Sequence, residues 1–476
     1  MNRIYKPRIL KMKKLILIIL LIGAAFGANA GGLLTNTNQS VSFLRNMARG
    51  TSLSPDAVYF NPAGTAFFDK GWYIGINVQQ ATQRRITYSS FAPFAMNANG
   101  NGTQDRDFVG KAFSPVIPSI HLVWKTERVA LMGSFAVGGG GGSATYNNGL
   151  ASFESLVAQI PVLLQNFGLP TSQYSADMYI KGTTYTFAFQ VGAAFKFTDW
   201  LSAALQIRAN FAYQRYEGYL HNIMINPQHP LLNPTGALMP ASKFFEMAAQ
   251  AYPAFEEFVA LTSDKDLHTV QRGVAITPVI SLCFMKDGWM ASAKYEAKSH
   301  MKLKNHTTKD VQFTGDSMFP DGAETEADIP AILSLAASRQ LGPVKLAAQW
   351  NHYFDKDAKN SFSETVTGDT NEYILGTEWD ITKRFLAGTS VQITKKRLDP
   401  LKYSDMGFDC SSVSWGLGVS YQISKKLRLN ASWMKTFYDK VTENAPTYNG
   451  NLAGLPGTNV YYRKSMCYGV GIDITL

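Results

Sequence analysis

The residues of this chain that could carry out catalytic or metal chemistry are few and scattered. Its three cysteines, Cys283, Cys410 and Cys467, are far apart, form no CxxC pair and, being odd in number, argue against a disulfide framework. None of the seven histidines stands with a cysteine or an acid at zinc-site spacing. The chain has no Walker loop and no GxSxG elbow. We therefore expect no metal ion, no cofactor and no enzymatic activity; a hydrolase using His352 is the alternative.

The most distinctive short motif is Asn61-Pro62-Ala63-Gly64, which follows the sequence DAVYF at 56–60. Proline fixes its own φ and biases the preceding residue toward an extended conformation, so this motif predicts a stiff turn. A glycine directly after such a turn makes it a candidate pivot.

Residues 1–30 have the parts of a secretory signal peptide. Six Lys or Arg residues without an acid precede an apolar run from Leu15 to about Phe26, and residues 28–30 (ANA) fit the cleavage pattern. The run is shorter than the roughly 20 residues of a spanning helix, which argues against the alternative of an uncleaved anchor. Removing six positive charges lowers the formal net charge from +10 to about +4, so the pI of about 9.2 does not indicate a nucleic-acid partner.

From residue 71 to 476 the sequence predicts fourteen β-strands with apolar residues at every second position. In 183–197, for example, Tyr185, Phe187 and Phe189 alternate with Thr184, Thr186 and Gln190. The predicted strands start near Trp72, Val116, Arg128, Thr183, Leu201, Gly273, Trp289, Asp328, Val344, Glu372, Arg384, Val413, Leu427 and Ser465.

Every second link between successive strands is a tight turn, and the links that alternate with these turns are longer. The tight turns fall at 125–127, 198–199, 286–288, 340–343, 380–383 and 424–426. Alternation alone also fits a soluble β-sandwich, but a sandwich has no reason to sort its loops by length. The sorting, with aromatic residues near the tight turns, predicts an all-β transmembrane antiparallel β-barrel of fourteen strands in the outer membrane of a Gram-negative bacterium.

Residues 31–70 precede the first strand, lack strand alternation and are too apolar for a disordered tail. The lumen of a fourteen-stranded barrel is too wide for side chains alone to fill, so this segment is predicted to be a plug, or hatch, in the bore. The alternative is a segment packed elsewhere on the periplasmic side. The predicted division is therefore 1–30 signal peptide, 31–70 hatch and 71–476 barrel.

The chain resembles the FadL/TodX-type outer-membrane transporters of hydrophobic compounds. The resemblance rests on Gly31-Gly32, on residues 56–64 with the Asn-Pro-Ala motif, on 327–335 (ADIPAILSL), and on the length and strand number. It implies a hatch whose Asn-Pro-Ala motif falls at Asn61, Pro62 and Ala63, and passive inward movement of long-chain fatty acids or aromatic hydrocarbons. Gly64, the candidate pivot, completes the predicted hatch turn. It also implies capture in an outer apolar groove and a sideways exit beside a kinked third strand.

Two long outer loops carry helical periodicity, at 150–167 and 242–261, each interrupted by a proline. Their apolar faces could leave a groove for a lipid-like ligand, or the helices could simply pack together as a lid. With the hatch aromatics, the candidate ligand-binding residues are Phe60, Phe67, Phe153, Leu156, Ile160, Phe244, Phe255 and Phe258.

The third strand runs into five glycines, Gly138, Gly139, Gly140, Gly141 and Gly142. They could form a lateral opening in the wall, or only a flexible entry to the next loop. On the seventh strand, alternate positions from Lys294 to Lys304 carry charges predicted to face inward. Of these, Lys294 and Lys298 could bind a carboxylate; the alternative is a solvated strand end near lipopolysaccharide phosphates.

The sequence thus predicts an outer-membrane channel for passive uptake of hydrophobic small molecules. The alternatives are a general porin and a surface protein whose loops bind a partner. The expected partners are a hydrophobic small-molecule ligand, outer-membrane lipid and lipopolysaccharide, and the barrel-assembly machinery. The protein is expected to be a monomer and to bind no nucleic acid.

Overall fold

The computed structural model describes residues 38–311, 317–360, 364–405 and 407–476, except for the side chain of residue 254. The predicted signal peptide and the first seven residues of the predicted hatch lie outside the described residues. Among those described, no helix combines the length and the hydropathy needed to cross a bilayer.

Across the described residues, fourteen antiparallel strands form a closed β-barrel, as the alternation predicts. Three wall strands are interrupted and are labelled in two parts. The strands are β1 (Gly71–Phe91), β2 (Asp105–Lys125), β3 (Val129–Tyr146), β4 (Tyr174–Lys196), β5 (Leu201–Ile225), β6 (Lys265–Lys286), β7a (Trp289–Glu296), β7b (Lys302–Lys309), β8a (Glu324–Glu326), β8b (Ile332–Leu341), β9 (Val344–Tyr353), β10 (Val366–Asp380), β11 (Phe385–Leu398), β12 (Ser412–Ser424), β13a (Leu427–Tyr438), β13b (Val441–Ala445) and β14 (Gly457–Thr475). The wall closes where β1 pairs with β14, from Tyr73 opposite Thr475 to Phe91 opposite Gly457.

Helices occur only before β1 and in the connections, among the residues described. The α-helices are α1 (Val41–Arg45), α2 (Ala57–Phe60), α3 (Ala151–Asn166), α4 (Ala241–Ala251) and α5 (Glu256–Thr262). Short 3-10 helices span Arg49–Thr51, Pro62–Phe67, Ala92–Met96, Pro253–Phe255, Asp355–Asp357, Pro400–Lys402 and Tyr448–Gly450, and Met239–Pro240 pairs with the end of β5.

Strand ends beside the tight turns match the prediction closely, whereas most outer ends, other than the start of β12, do not. All six predicted tight turns are found, and β1 begins beside the last residue, where the N–H of Trp72 donates to Leu476 at 2.9 Å. On the outer side β2, β4, β6 and β14 start well before Val116, Thr183, Gly273 and Ser465. Beyond the lipid the outer face of a strand meets water, while its inner face packs against the outer helices, as at Tyr174 and Leu267. The outward positions there need not be apolar, so the alternation that marks a lipid-facing strand ends although the hydrogen-bond ladder continues.

The outward face of the wall carries a continuous band of exposed apolar side chains. Val191, Leu205, Leu375 and Val470 are each more than 60% exposed on different strands. Near the tight turns, exposed aromatic residues form a belt of Trp72, Trp124, Phe197, Trp200, Trp289 and Trp379. An apolar exterior with an aromatic girdle is the surface that a lipid-facing barrel requires.

Candidate functional site

The described part of the predicted hatch lies in the bore and contacts the wall on opposite sides. Side chains from widely separated strands bind its backbone. These are His121 of β2 to Gln39 O (2.9 Å), Gln190 of β4 and Gln206 of β5 to Val58 O (3.0 and 2.9 Å), Lys294 of β7a to Tyr59 O (3.0 Å), Gln349 of β9 to Gly50 N (2.7 Å) and Ser390 of β11 to Met47 N (2.9 Å). The segment therefore crosses the lumen.

Buried ion pairs fix the middle of the hatch. Arg49 pairs with Asp56 at 2.6 Å within the segment, and Arg45 pairs with Glu378 of β10 at 2.8 Å. Burial alone would raise the pKa of the Asp56 carboxyl, but Arg49 and hydroxyl groups of Ser40 and Ser52 hold it well below its usual range. Because the pairs are hydrogen-bonded and enclosed, breaking one leaves an uncompensated buried charge.

In the Asn-Pro-Ala-Gly sequence, Asn61 joins α2 to the 3-10 helix Pro62–Phe67, and Pro62, Ala63 and Gly64 form the first turn of that helix; all four residues are buried. Asn61 caps that helix: its Oδ1 accepts from the N–H of Gly64 at 3.3 Å, and its Nδ2 donates to the carbonyl of Ser52 at 3.2 Å. A Cβ at Gly64 would overlap the Asn61 amide, so only glycine fits without displacing it. Ala63 is held from β5, where Ser202 Oγ donates to its carbonyl at 2.7 Å.

Above the hatch lies a cavity of about 280 Å³. It is lined by Asn38 of the hatch, by Arg85 of β1, by Ile117 of β2, by glycines 140–142 of β3 and by residues of β13a, β14 and the loop before β12. Phe60 lies one layer away, since it packs with Met434 and Cys467, which line the cavity. Phe67 packs instead with residues near the tight turns.

Beside this cavity the backbone ladder between β2 and β3 is interrupted, and the side chain of Ser114 instead donates across the gap to the carbonyl of Gly141. Pairing between β2 and β3 stops at Phe113 opposite Ser143 and resumes at Ser119 opposite Ala136. Within the gap, β2 has two prolines at positions 115 and 118, which lack the N–H needed for a ladder. Opposite them, Gly140 and Gly141 have φ of +69° and +105°, which L-side chains rarely adopt. The predicted glycine run therefore kinks β3, and residues 140–142 reach the cavity.

Two buried arginines face the cavity from adjacent strands. Arg463 of β14 pairs with Asp409 at 3.3 Å, and Lys396 pairs with the same carboxylate. Burial would raise the pKa of Asp409, but these two cations hold it below its ordinary value. Arg85 forms no ion pair within the described chain; it lies 5.0 Å from the Phe408 ring centre, and its Nε is buried without a hydrogen-bond partner. Its Nη2 donates to the carbonyl of Phe408 at 3.5 Å, and it shares the attraction of Asp409 with Arg463 and Lys396, so cations outnumber carboxylates around Asp409.

The two predicted outer helices are present and their apolar faces are buried in one shared core. Phe153 and Ile160 of α3 and Phe244 and Phe258 of the α4–α5 pair belong to this core, and Phe255 packs half-buried at its edge. Leu156 is half-buried but does not pack against this core. Pro161 lies within α3 without ending it, whereas the second proline separates α4 from α5. In this structure the helices pack as a lid, which was the alternative to an open groove.

Comparison with solved structures identifies the fold. The chain is similar to the crystal structure of a Pseudomonas aeruginosa FadL homologue, with 16% identity, a TM-score of 0.59, and coverage of 93% of this chain and 99% of that chain. It has the FadL-type fold. The Pseudomonas putida toluene transporter TodX (14%, TM-score 0.56, 93% and 99% covered) and the Ralstonia pickettii toluene transporter TbuX (14%, 0.54, 93% and 100%) are also similar. No protein-family model and no curated protein matches the chain.

Within this FadL-type barrel, the predicted inward row of charges on the seventh strand is partly wrong. Lys294 does face inward, but it pairs with Glu296 at 2.6 Å and holds the hatch. The strand is then interrupted between β7a and β7b, which shifts the alternation. As a result Lys302 is exposed while Leu303 is buried, and Lys298 lies outside the strand, donating to the carbonyl of Asp357.

Sequence reasoning missed Arg85 and Glu154. Arg85 could have been found, because it occupies the inward parity of β1 while its neighbour Arg84 is exposed. Glu154 of α3 is fully buried and pairs with Arg106 at 3.1 Å, and it accepts hydrogen bonds from Asn97 and Tyr174. These partners come from three separate segments, so no local pattern indicates them.

Proposed function

We propose that this protein is an outer-membrane channel for passive uptake of hydrophobic small molecules, exported by its signal peptide and active as a monomer. The observation that supports this most is the cavity between the hatch and the unpaired stretch of β2 and β3. A chamber that borders both a blocked bore and a break in a lipid-facing wall suits a solute that prefers lipid to water.

The proposed path runs from the outer lid to the cavity and then sideways between β2 and β3. The hatch closes the direct route through the bore, which argues against a general porin. The glycine run serves as the lateral opening because it supplies no side chains to fill the gap left by the two prolines. The turn at Asn61-Pro62-Ala63-Gly64 acts as the pivot through which ligand binding in the cavity changes the conformation of the hatch.

Of the two expected ligand classes, Arg85 favours acid-bearing amphiphiles such as long-chain fatty acids over neutral aromatic hydrocarbons. An enclosed guanidinium that must share the Asp409 carboxylate with Arg463 and Lys396 is incompletely compensated, and a ligand carboxylate would compensate it by charge-assisted hydrogen bonds. The apolar chain of such a ligand would extend toward Ile117 and the glycines at the opening.

A bulky residue at the opening tests this path. Ile117→Trp should fill the gap and reduce uptake of radiolabelled oleate about tenfold or more, in cells that lack their own fatty-acid channel. Val116→Trp is the matched control, because Val116 is 55% exposed on the outer face and does not line the cavity. Its uptake should remain near that of the wild type.

Folding of each variant is checked by the shift in gel mobility between unheated and boiled samples. Equal uptake by the wild type and a folded Ile117→Trp variant would exclude the lateral route. Absence of oleate uptake by the wild type itself would reject the fatty-acid assignment.

A further inference from the structure

Four neighbouring strands carry exposed cations on the outward face at one height of the barrel. On β1, Arg84 lies directly opposite Lys111 of β2 on one side and Lys464 of β14 on the other. Lys435 of β13a and Lys440 just after it extend the series around the wall. All five side chains are exposed. We call these five residues the cationic row.

The row lies at the outer edge of the apolar band. Trp72 marks the aromatic belt, and Arg84 follows about 12 residues later on the same strand, which is about 40 Å of strand. With a strand tilt of about 40°, the rise along the barrel axis is about 30 Å, and apolar bands of such barrels are about 25 Å tall. Below the row, outward residues of β1 such as Ile76 and Val78 are apolar and exposed.

The row is electrostatically unfavourable in the protein alone. Like charges directly opposite each other on neighbouring strands destabilise a sheet. Some exposed cations elsewhere on the wall have acidic partners: Lys302 pairs with Glu324 at 3.5 Å and Lys309 with Asp266 at 3.0 Å. Arg272 of β6 and Lys304 of β7b form a second like-charge pair without an acid, but that pair spans two strands only. Within the described chain, by contrast, no residue of the cationic row forms an ion pair.

Aromatic rings, and not carboxylates, support three of the four lysines of the row. The Nζ atoms of Lys464 and Lys440 lie 5.6 and 5.5 Å from the ring centre of Tyr462, and that of Lys435 lies 4.9 Å from that of Phe437. Cation–π contacts position the ammonium groups while leaving N–H donors for an anion. The row therefore combines fixed cations, free donors and an adjacent apolar wall.

We propose that the cationic row binds the phosphate groups of lipopolysaccharide in the outer leaflet. The phosphates of its lipid anchor sit at the boundary between acyl chains and water, which is the height of the row. Arginine and lysine recognise phosphate by charge-assisted hydrogen bonds, and the acyl chains would pack on the apolar band below. Two exposed acids lie close to the row, Asp107 of β2 and Asp439 beside Lys440, but they do not balance its five cations. The row therefore keeps an excess of positive charge. The proposal needs only a barrel in the outer membrane and does not depend on what the channel transports.

Binding of purified rough-type lipopolysaccharide to the full-length protein in a non-ionic detergent tests the proposal. Arg84→Gln combined with Lys464→Gln should weaken binding about tenfold or more. The matched control is Lys302→Gln with Lys309→Gln, which removes two equally exposed outer cations that already have acidic partners. That control should bind like the wild type, and dephosphorylated lipopolysaccharide should bind the wild type as weakly as the Arg84/Lys464 variant binds the intact lipid.

Thermal unfolding gives a second readout, because the difference in unfolding temperature between the variant and the wild type should change sign when lipopolysaccharide is added. Without lipopolysaccharide, the Arg84/Lys464 variant should unfold at the same or a higher temperature than the wild type, because repulsion is relieved; with it, the wild type should be the more stable. Equal affinity of the wild type and the folded variant would overturn the proposal. So would equally strong competition by inorganic phosphate or by phosphatidylglycerol micelles, since the row would then be a general anion patch.

Discussion

Replacing Gly64 with alanine should open the hatch turn without unfolding the barrel. A Cβ at this position would lie 2.7 Å from Cγ of Asn61, so the asparagine side chain has to move. Movement breaks its hydrogen bonds to Ser52 O and from Gly64 N. The Gly64 N–H keeps a backbone bond to the Asn61 carbonyl at 2.9 Å, so the main loss is the enclosed bond to Ser52. Losing such a bond costs about 1–3 kcal/mol.

Hydrogen exchange measured by mass spectrometry on peptides covering 57–68 reports this loss directly. At 1.4 kcal/mol per factor of ten, the turn amides should exchange roughly 5- to 150-fold faster, while strand amides stay protected. In an Asn61→Ala background the group that the new Cβ displaces is gone, so Gly64→Ala should add little. If the two changes are additive, or if Gly64→Ala leaves exchange unchanged, the turn is not held as described.

Three further outcomes follow from the hatch and the lid. Asn61→Ala and Pro62→Gly should slow uptake of apolar solute with the folded amount unchanged, and unaltered uptake in both would remove the turn from the mechanism. Glu154→Gln should destabilise the outer lid by about 1–3 kcal/mol, because the ion pair with Arg106 is lost. Faster protease cleavage in the α3 loop of intact cells would measure this loss, and cleavage at the wild-type rate would contradict the prediction. Asp56, whose pKa is depressed, stabilises the fold above its unfolded pKa of about 3.9, and this is lost only as pH falls through the lower folded value. Bilayer conductance should thus stay low from pH 7 to pH 5 in the wild type but rise at pH 7 in Asp56→Asn; identical traces would refute the assignment.

The barrel could be predicted from sequence because its two signals are local. Alternation, as at Tyr185 to Gln190, follows from a wall with lipid on one face and protein on the other, and loop sorting follows from the directions of the strands. Both signals end outside the lipid, which is why the outer extensions of β2 and β4 were missed. The helical periodicity of α3 is local too, but whether its apolar face is buried or open depends on distant partners.

The site was less predictable because it depends on interruptions and on contacts across the bore. Strict alternation predicts that the side chain of Lys302 faces the lumen, but the break between β7a and β7b turns it outward. The proposed opening depends on prolines 115 and 118 of β2 facing the glycines of β3; the glycine run is a local signal, but the segment that lies opposite it is not. Arg85 and Asp409 meet in the cavity from strands and loops far apart in sequence.

The lateral route is tested most directly by photo-crosslinking with a long-chain fatty acid that carries a diazirine near its methyl end. The protein is reconstituted in lipid bilayers, illuminated, and its adducts are mapped by mass spectrometry. We expect adducts at 113–118 and 138–142, on either side of the proposed opening, and their loss in the Ile117→Trp variant. Adducts concentrated at Phe67 and Phe68, on the tight-turn side of the hatch, would mean that the ligand passes through the bore and would contradict it.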